Sequence, residues 1–216
     1  MLGRIIALLI GYGFGLVLMG YFLGKTQNVD LTKVGSGNVG STNTLRNLGP
    51  KAGAFTLVCD CLKCVLAVLF VGFIFSFFYE DTSIYQVYAG LGAVLGHDFP
   101  VYMHFKGGKG IASTLGFIIA IIPLGLPIPA LIFLIIVLIT KYVSLGSIIG
   151  VFSFAVQIII FAALGLITRY KGTELIEMVV ICCLVSLIAI LLHHANIKRL
   201  LNGNENKISF KPETRE

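Results

Sequence analysis

Seven stretches of the chain, near 4–24, 52–78, 84–96, 111–122, 124–140, 143–167 and 174–195, are strongly apolar and separated by short polar segments. A helix needs about 20 apolar residues to cross a hydrocarbon core of about 30 Å. Charged residues make up 12% of the 216, against roughly 25% in a soluble domain, so the chain cannot cover a water-facing surface. This excludes a secreted globule, a cytosolic enzyme and a disordered tail protein. An enzyme, a carrier, a channel or a scaffold within the membrane remains. The expected fold is an all-α integral membrane protein of about seven transmembrane helices, some short or broken. Residues 1–196 form one polytopic membrane domain and 197–216 a polar cytoplasmic tail. The third and fourth runs hold only about 12 residues each, so tilted, broken or re-entrant segments are expected there.

As a single helix, residues 111–140 would run about 45 Å, too long for one crossing. Pro123, Pro127 and Pro129 interrupt it with Gly125 between them, and a turn is expected there. Charge counting tests that turn. With seven spans and the N-terminus outside, the inner side collects Lys25, Lys33, Arg46, Lys51, Lys106, Lys109, Lys141, Lys198, Arg199, Lys207, Lys211 and Arg215, leaving Arg4, Arg169 and Lys171 outside. One crossing over 111–140 would instead split the cations eight to seven. The positive-inside rule therefore favours seven spans, N-terminus out and C-terminus in. The opening residues resemble a signal peptide but lack a small-residue cleavage pattern, so they are read as the first helix. The pairs Gly11–Gly15 and Gly20–Gly24 give small-xxx-small spacing suited to close helix packing.

The net charge of +6 is compatible with nucleic acid, but it fits membrane topology and anion handling better; no nucleic-acid partner is expected. Cys59, Cys61, Cys64, Cys182 and Cys183 all fall in apolar runs and read as reduced thiols without a metal site. Asp60 and Lys63 share a helical face within the second run. They are either a structural ion pair or part of a functional site.

On this topology the segments 25–51, 97–110 and 194–216 lie at one membrane face. GSGNVGSTNTLRNLGP, residues 35–50, is rich in glycine, hydroxyl and amide groups, with Ser36, Asn38 and Asn43 ahead of Arg46. It suits anion binding by backbone N–H groups and a guanidinium fork; a polar connecting loop is the alternative. In GHDFPVYMHFKGGKG, residues 96–110, Gly107, Gly108 and Gly110 permit close backbone approach to a ligand, and Lys106 and Lys109 add charge before the next helix. It is not a Walker A loop, because Lys109 is followed by Gly110. A basic turn facing anionic lipid is the alternative. HHANIKRLLNGNENK, residues 193–207, carries His193, which either titrates near neutral pH or is an inert residue at a helix end.

Together these segments resemble the PlsY family, the acyl-phosphate-dependent glycerol-3-phosphate acyltransferases of bacterial membranes. The likeness rests on GSGNVGSTNTLR at 35–46, LGHDFPVYMHFKGGKG at 95–110, KYVSLGS at 141–147 and the closing HHANIKRLLNGNENK. It implies transfer of a fatty acyl group from acyl phosphate to the sn-1 hydroxyl of glycerol 3-phosphate. The products would be lysophosphatidic acid and phosphate, made at the cytoplasmic side of the bacterial inner membrane among membrane lipids, without metal or cofactor. It also implies Ser36, Arg46 and His193 as catalytic residues. Asn38, Asn43, Lys106, Gly107, Gly108, Lys109, Gly110, Ser144, Asn196 and Glu205 would bind substrate. The proton acceptor is either His193 or a substrate phosphate oxygen.

Two positions depart from the family pattern. His194 and Lys141 stand where the family usually has arginine, and neither can make the same bidentate contact. Acyltransferases that use thioester donors carry His and Asp separated by four residues, and none of His97, His104, His193 or His194 has an Asp at that distance. A phosphate or organic-anion carrier is the competing function. Against it, apart from Asp60 and Lys63, no charge sits deep enough in the apolar runs to mark a path across the membrane.

Overall fold

Every apolar run is helical in the computed structural model, which describes residues 1–208. The helices are α1 (Leu2–Gly15), α2 (Met19–Thr26), α3 (Ser41–Leu48), α4 (Pro50–Phe75), α5 (Ser83–Asp98), α6 (Ile111–Ile121), α7 (Pro127–Thr140), α8 (Val143–Ala163), α9 (Gly172–Leu192) and α10 (His194–Leu201). Among the described residues five stretches are long and apolar enough to cross a membrane: Leu2–Thr26, Pro50–Phe75, Pro123–Thr140, Val143–Ala163 and Gly172–Leu192. The other two expected spans are α5 and α6, of 16 and 11 residues, which rise only about 24 and 17 Å. Their shortness is what separates five from seven. The proline-rich break is present: α6 stops at Ile121, one 3-10 turn spans Pro123–Gly125, and α7 restarts at Pro127.

The first apolar run is not one continuous helix. Leu18 is extended between α1 and α2, although no proline or polar residue marks the place. Carbonyls released inside a bilayer need partners from elsewhere in the protein. The Lys63 ammonium donates to Gly15 O at 3.1 Å and Val17 O at 2.7 Å, and the Tyr102 hydroxyl donates to Leu16 O at 2.7 Å. Distant side chains thus cap the break.

Glycines set the closest helix crossing. A Cβ on Gly11 would fall 1.9 Å from Ala89 O, and one on Gly92 would fall 2.1 Å from Leu8 O, so α1 and α5 meet backbone to backbone. Gly20 and Gly24 act differently, since their faces close on the loop carbonyls of Val39 and Val29. They seat the polar 27–40 loop, and Gly20 also lies against Thr44 of α3.

Cys64, Val68, Val87, Val94, Phe117, Phe154, Met178 and Val185 are buried where α4, α5, α6, α8 and α9 meet. Leu66, Phe73, Leu134, Leu138, Val180 and Leu187 point outward, as lipid-facing side chains do. All five cysteines are free. At the end of the bundle remote from the polar loops, Arg4 makes a two-pronged pair with Glu177 at 2.8 and 3.0 Å. Arg169 there donates to Ser83 Oγ and to Gln86. Lys211 and Arg215, counted above toward the inner side, lie outside the described residues, as does the rest of the expected tail beyond 208.

Candidate active site

At the other end of the bundle the three polar segments and the start of α8 enclose a cavity of about 110 Å³. Two helices begin at its wall. Gly40, Ser41 and Thr42 open α3, and Gly110, Ile111 and Ala112 open α6. The first N–H groups of a helix lack intrahelical partners and carry its positive end, so both termini favour an anion. Gly110 permits this start because its φ is +70°.

Of the expected site residues, Ser36, Asn38, Asn43, Arg46, Lys109, Gly110, Ser144, His193, Asn196 and Glu205 all line this cavity. The asparagines of the first segment are engaged in shaping their own loop. Asn43 is 2% exposed. It donates to the carbonyls of Leu31 and Val34 and accepts from Ser36 N at 2.9 Å. Asn38 accepts from Gly40 N and donates to Gly107 O at 3.0 Å, which joins the first segment to the second. Arg46, on α3, donates to Asn206 O at 3.1 Å and brings its guanidinium to the cavity edge.

Lys106, Gly107 and Gly108 do not line this cavity; with Lys109 they border a neighbouring one of about 270 Å³. The close approach made by these two glycines is to α5. Gly107 N donates to Asp98 O and Gly108 N donates to His97 O. A Cβ on Gly107 would lie 2.1 Å from His97 O, and one on Gly108 would lie 1.8 Å from His97 Nε2. Their amides therefore continue the end of α5, and the donors facing the cavity come from the next residues, at the start of α6. Lys106 is exposed, whereas Lys109 donates to Asn196 Oδ1.

The third segment folds back over the cavity. Glu205 is buried and accepts from Ser144 Oγ at 2.9 Å, Asn196 Nδ2 at 2.8 Å and Arg199 Nε at 2.8 Å. Burial alone would raise its carboxyl, but the Asn196, Arg199 and Ser144 hydrogen bonds together hold it below the ordinary glutamate value. Burial pushes the Lys109 ammonium down to about 8, helped by the charges of Arg199 and Arg46 and opposed by Glu205. Burial likewise pushes His193 down to about 4. Its Nδ1 lies 2.7 Å from Ala189 O, and a carbonyl only accepts, so Nδ1 carries the proton and Nε2 the lone pair. His194 is exposed and borders the second cavity.

His97, Thr42, Phe133 and Ser147 are among the lining residues that sequence reasoning passed over. Ser147 stands three residues after Ser144, on the same face of α8, and His97 is an ionisable residue at the end of an apolar run; both carried a readable signal. Asp60 and Lys63, read as either a structural ion pair or part of a functional site, are ion-paired at 2.9 Å. They also join His97, whose Nδ1 lies 2.8 Å from Lys63 Nζ, and Asp60 reaches the cavity lining.

A family described as Glycerol-3-phosphate acyltransferase matches residues 5–203. The chain belongs to the glycerol-3-phosphate acyltransferase family. A member from Thermotoga maritima, glycerol-3-phosphate acyltransferase 2, is 39% identical over 94% of this chain and 95% of its own. The glycerol-3-phosphate acyltransferase of Clostridioides difficile is 38% identical over 97% of each. Two crystal structures of PlsY, an integral membrane glycerol 3-phosphate acyltransferase, superpose on the fold. The glycerol 3-phosphate form gives a TM-score of 0.79 at 33% identity, covering 95% of this chain and 96% of the other. The lysophosphatidic acid form gives 0.76 at 32% identity, covering 96% of each. The chain is thus a multi-pass membrane member of this acyltransferase family.

Proposed function

We propose that the chain transfers a fatty acyl group from acyl phosphate to the sn-1 hydroxyl of glycerol 3-phosphate, giving lysophosphatidic acid and phosphate. This would be the first acylation of phospholipid synthesis. The observation that carries the reading is the convergence of Arg46, Lys109, two helix N-termini and a neutral histidine on one cavity. Both substrates carry phosphate, and this wall supplies positive charge without requiring the donors to reorganise. The family resemblance supports the choice of acyl phosphate as donor.

In this mechanism the sn-1 hydroxyl attacks the acyl carbonyl carbon, a C–O ester bond forms and the C–O bond to phosphate breaks. Acyl phosphate is a mixed anhydride with a good leaving group, so no acyl-enzyme is needed. Arg46, Lys109 and the amides at the start of α3 and α6 neutralise the departing phosphate. Ser36 helps hold it at the cavity wall. His193 Nε2 accepts a hydrogen bond from the attacking hydroxyl and orients it. A group titrating near 4 is a weak base at neutral pH, so the hydroxyl proton passes to a phosphate oxygen. Glu205 positions Ser144 and Asn196, and Asn196 in turn positions Lys109. Lys106 attracts substrate at the second cavity, while Gly107 and Gly108 hold the loop against the end of α5 so that Lys109 reaches the first.

The cavity end faces the cytoplasm of a bacterial plasma membrane, with the N-terminus outside and α5 and α6 completing seven passes as short segments. The charge asymmetry of the loops supports this orientation. Residues 1–196 form the membrane domain, and the first part of 197–216 closes the site through Glu205. Purified protein given acyl phosphate and glycerol 3-phosphate should release phosphate and lysophosphatidic acid, while acyl-CoA should give little product. Equal use of both donors would overturn the donor assignment.

A further inference from the structure

Asp60 is 0% exposed, yet it forms part of the cavity lining. Its Oδ1 faces Lys63 Nζ at 2.9 Å and His97 Nδ1 at 3.5 Å. Among the described residues neither Asp60 oxygen is matched by a hydrogen-bond donor of good geometry, and Oδ2 lacks even the ion-pair contacts that Oδ1 makes. A buried carboxylate oxygen without a donor is costly, and native sites seldom leave one unmatched. Lys63 cannot serve it, because its ammonium is already engaged by Gly15 O, Val17 O, Asp60 Oδ1 and His97. Because Asp60 lines the cavity, a hydrogen-bond donor bound there would supply the missing partner.

Asp60 lies ten residues into α4 from Pro50, about 15 Å along the axis, whereas Arg46 stands at the cavity edge on the preceding helix. The cavity thus has cations at its mouth and, at its floor, an ion-paired carboxylate with one oxygen left to accept a hydrogen bond. Glycerol 3-phosphate has matching ends, an anion at one and hydroxyls at the other. In the reaction proposed above, on which this inference rests, the sn-1 hydroxyl is taken up by attack on the acyl carbon and by His193. The sn-2 hydroxyl is the one substrate donor left without a protein partner.

We propose that Asp60 Oδ2 accepts a hydrogen bond from the sn-2 hydroxyl of the acceptor, making Asp60 the residue that selects a glycerol phosphate over a phosphate ester of a simpler alcohol. A site built to bond a substrate hydroxyl rejects the analogue that lacks it, because its own buried group is then left unpaired. The test compares glycerol 3-phosphate with 3-hydroxypropyl phosphate, which keeps the phosphate and the attacking hydroxyl but lacks the sn-2 hydroxyl. The full-length enzyme should favour glycerol 3-phosphate by roughly ten- to a hundred-fold in kcat/KM, the range of a hydrogen bond to a charged group. Asp60→Asn should narrow that ratio at least several-fold, chiefly by slowing glycerol 3-phosphate. A structural role alone would lower both acceptors equally and leave the ratio unchanged, which would overturn the assignment. If Asp60→Asn cannot be purified folded, the unaltered enzyme still decides: equal use of the two acceptors defeats the proposal. Acylation of neither acceptor by the unaltered enzyme would count against the acyltransfer reading itself, and acylation of glycerol 3-phosphate with an Asp60-independent ratio against Asp60 alone.

Discussion

The two glycine-rich segments at the cavity end look alike in sequence and do different work. Residues 35–46 present Ser36, the start of α3 and Arg46 to the cavity, on a loop held from within by Asn38 and Asn43. In residues 106–110, by contrast, Gly107 and Gly108 are packed against the end of α5 with their amides engaged, and only Lys109 and Gly110 reach the cavity. Glycine in the first segment shapes a binding wall. In the second it brings two pieces of backbone together so that the following lysine is aimed correctly.

If this difference holds, the sharpest separation is between lost turnover and lost fold. Arg46→Ala should lower kcat/KM by roughly two to three orders of magnitude, as removal of a charge-stabilising donor does, with the melting temperature in detergent changed by only a few degrees. Near-normal turnover would remove Arg46 from the site. Gly107→Ala should act through the fold, since its Cβ meets backbone at 2.1 Å. Overpacking of this kind costs about 1–3 kcal/mol, so thermal stability and activity should fall together. An Ala variant with normal melting and only a raised KM would show that Gly107 contacts ligand after all.

Within the second segment the lysines should part company. Lys109→Met is expected to cost tens of fold in kcat/KM and Lys106→Met less than about three-fold, because only Lys109 is partly buried at the cavity. Equal losses would merge the two cavities into one functional unit. A smaller effect is a pH dependence. With Lys109 held near 8, its protonated form predominates below that pH and is lost above it, so KM for glycerol 3-phosphate should rise as pH passes through about 8. Lys109→Arg should move that limb to higher pH, since guanidinium stays charged. The smallest expected change is Gly37→Ala. Its φ of +69° strains an L-residue, but the nearest atom to the new Cβ is Thr32 O at 3.2 Å. A loss of about 1–2 kcal/mol in stability with kcat unchanged is the expected result.

The helices were legible because each apolar run is locally encoded, and the break between α6 and α7 was legible because proline marks it. The interruption at Leu16–Leu18 was not, because its cause lies in Lys63 and Tyr102, far along the chain. The Asp60–Lys63 pair could be read from its spacing, but the links to His97 and to the first helix could not. At the site, Ser36, Arg46, Ser144, His193, Asn196 and Glu205 came from motif resemblance and meet at one cavity. Gly107 and Gly108 were read as allowing ligand approach from glycine content and from the family resemblance, and neither signal reveals that their amides also engage the end of α5.

The way Lys63 caps the broken N-terminal span has a consequence for biosynthesis. The carbonyls of Gly15 and Val17 wait for a side chain encoded 48 and 46 residues later, so the leading span is unfinished when it first meets lipid. Two of its three freed carbonyls gain partners only after α4 has left the ribosome and settled beside it, and the third waits for Tyr102. A nascent chain arrested before residue 63 should therefore remain sensitive to quality-control proteases, while one extended past α4 should gain protection.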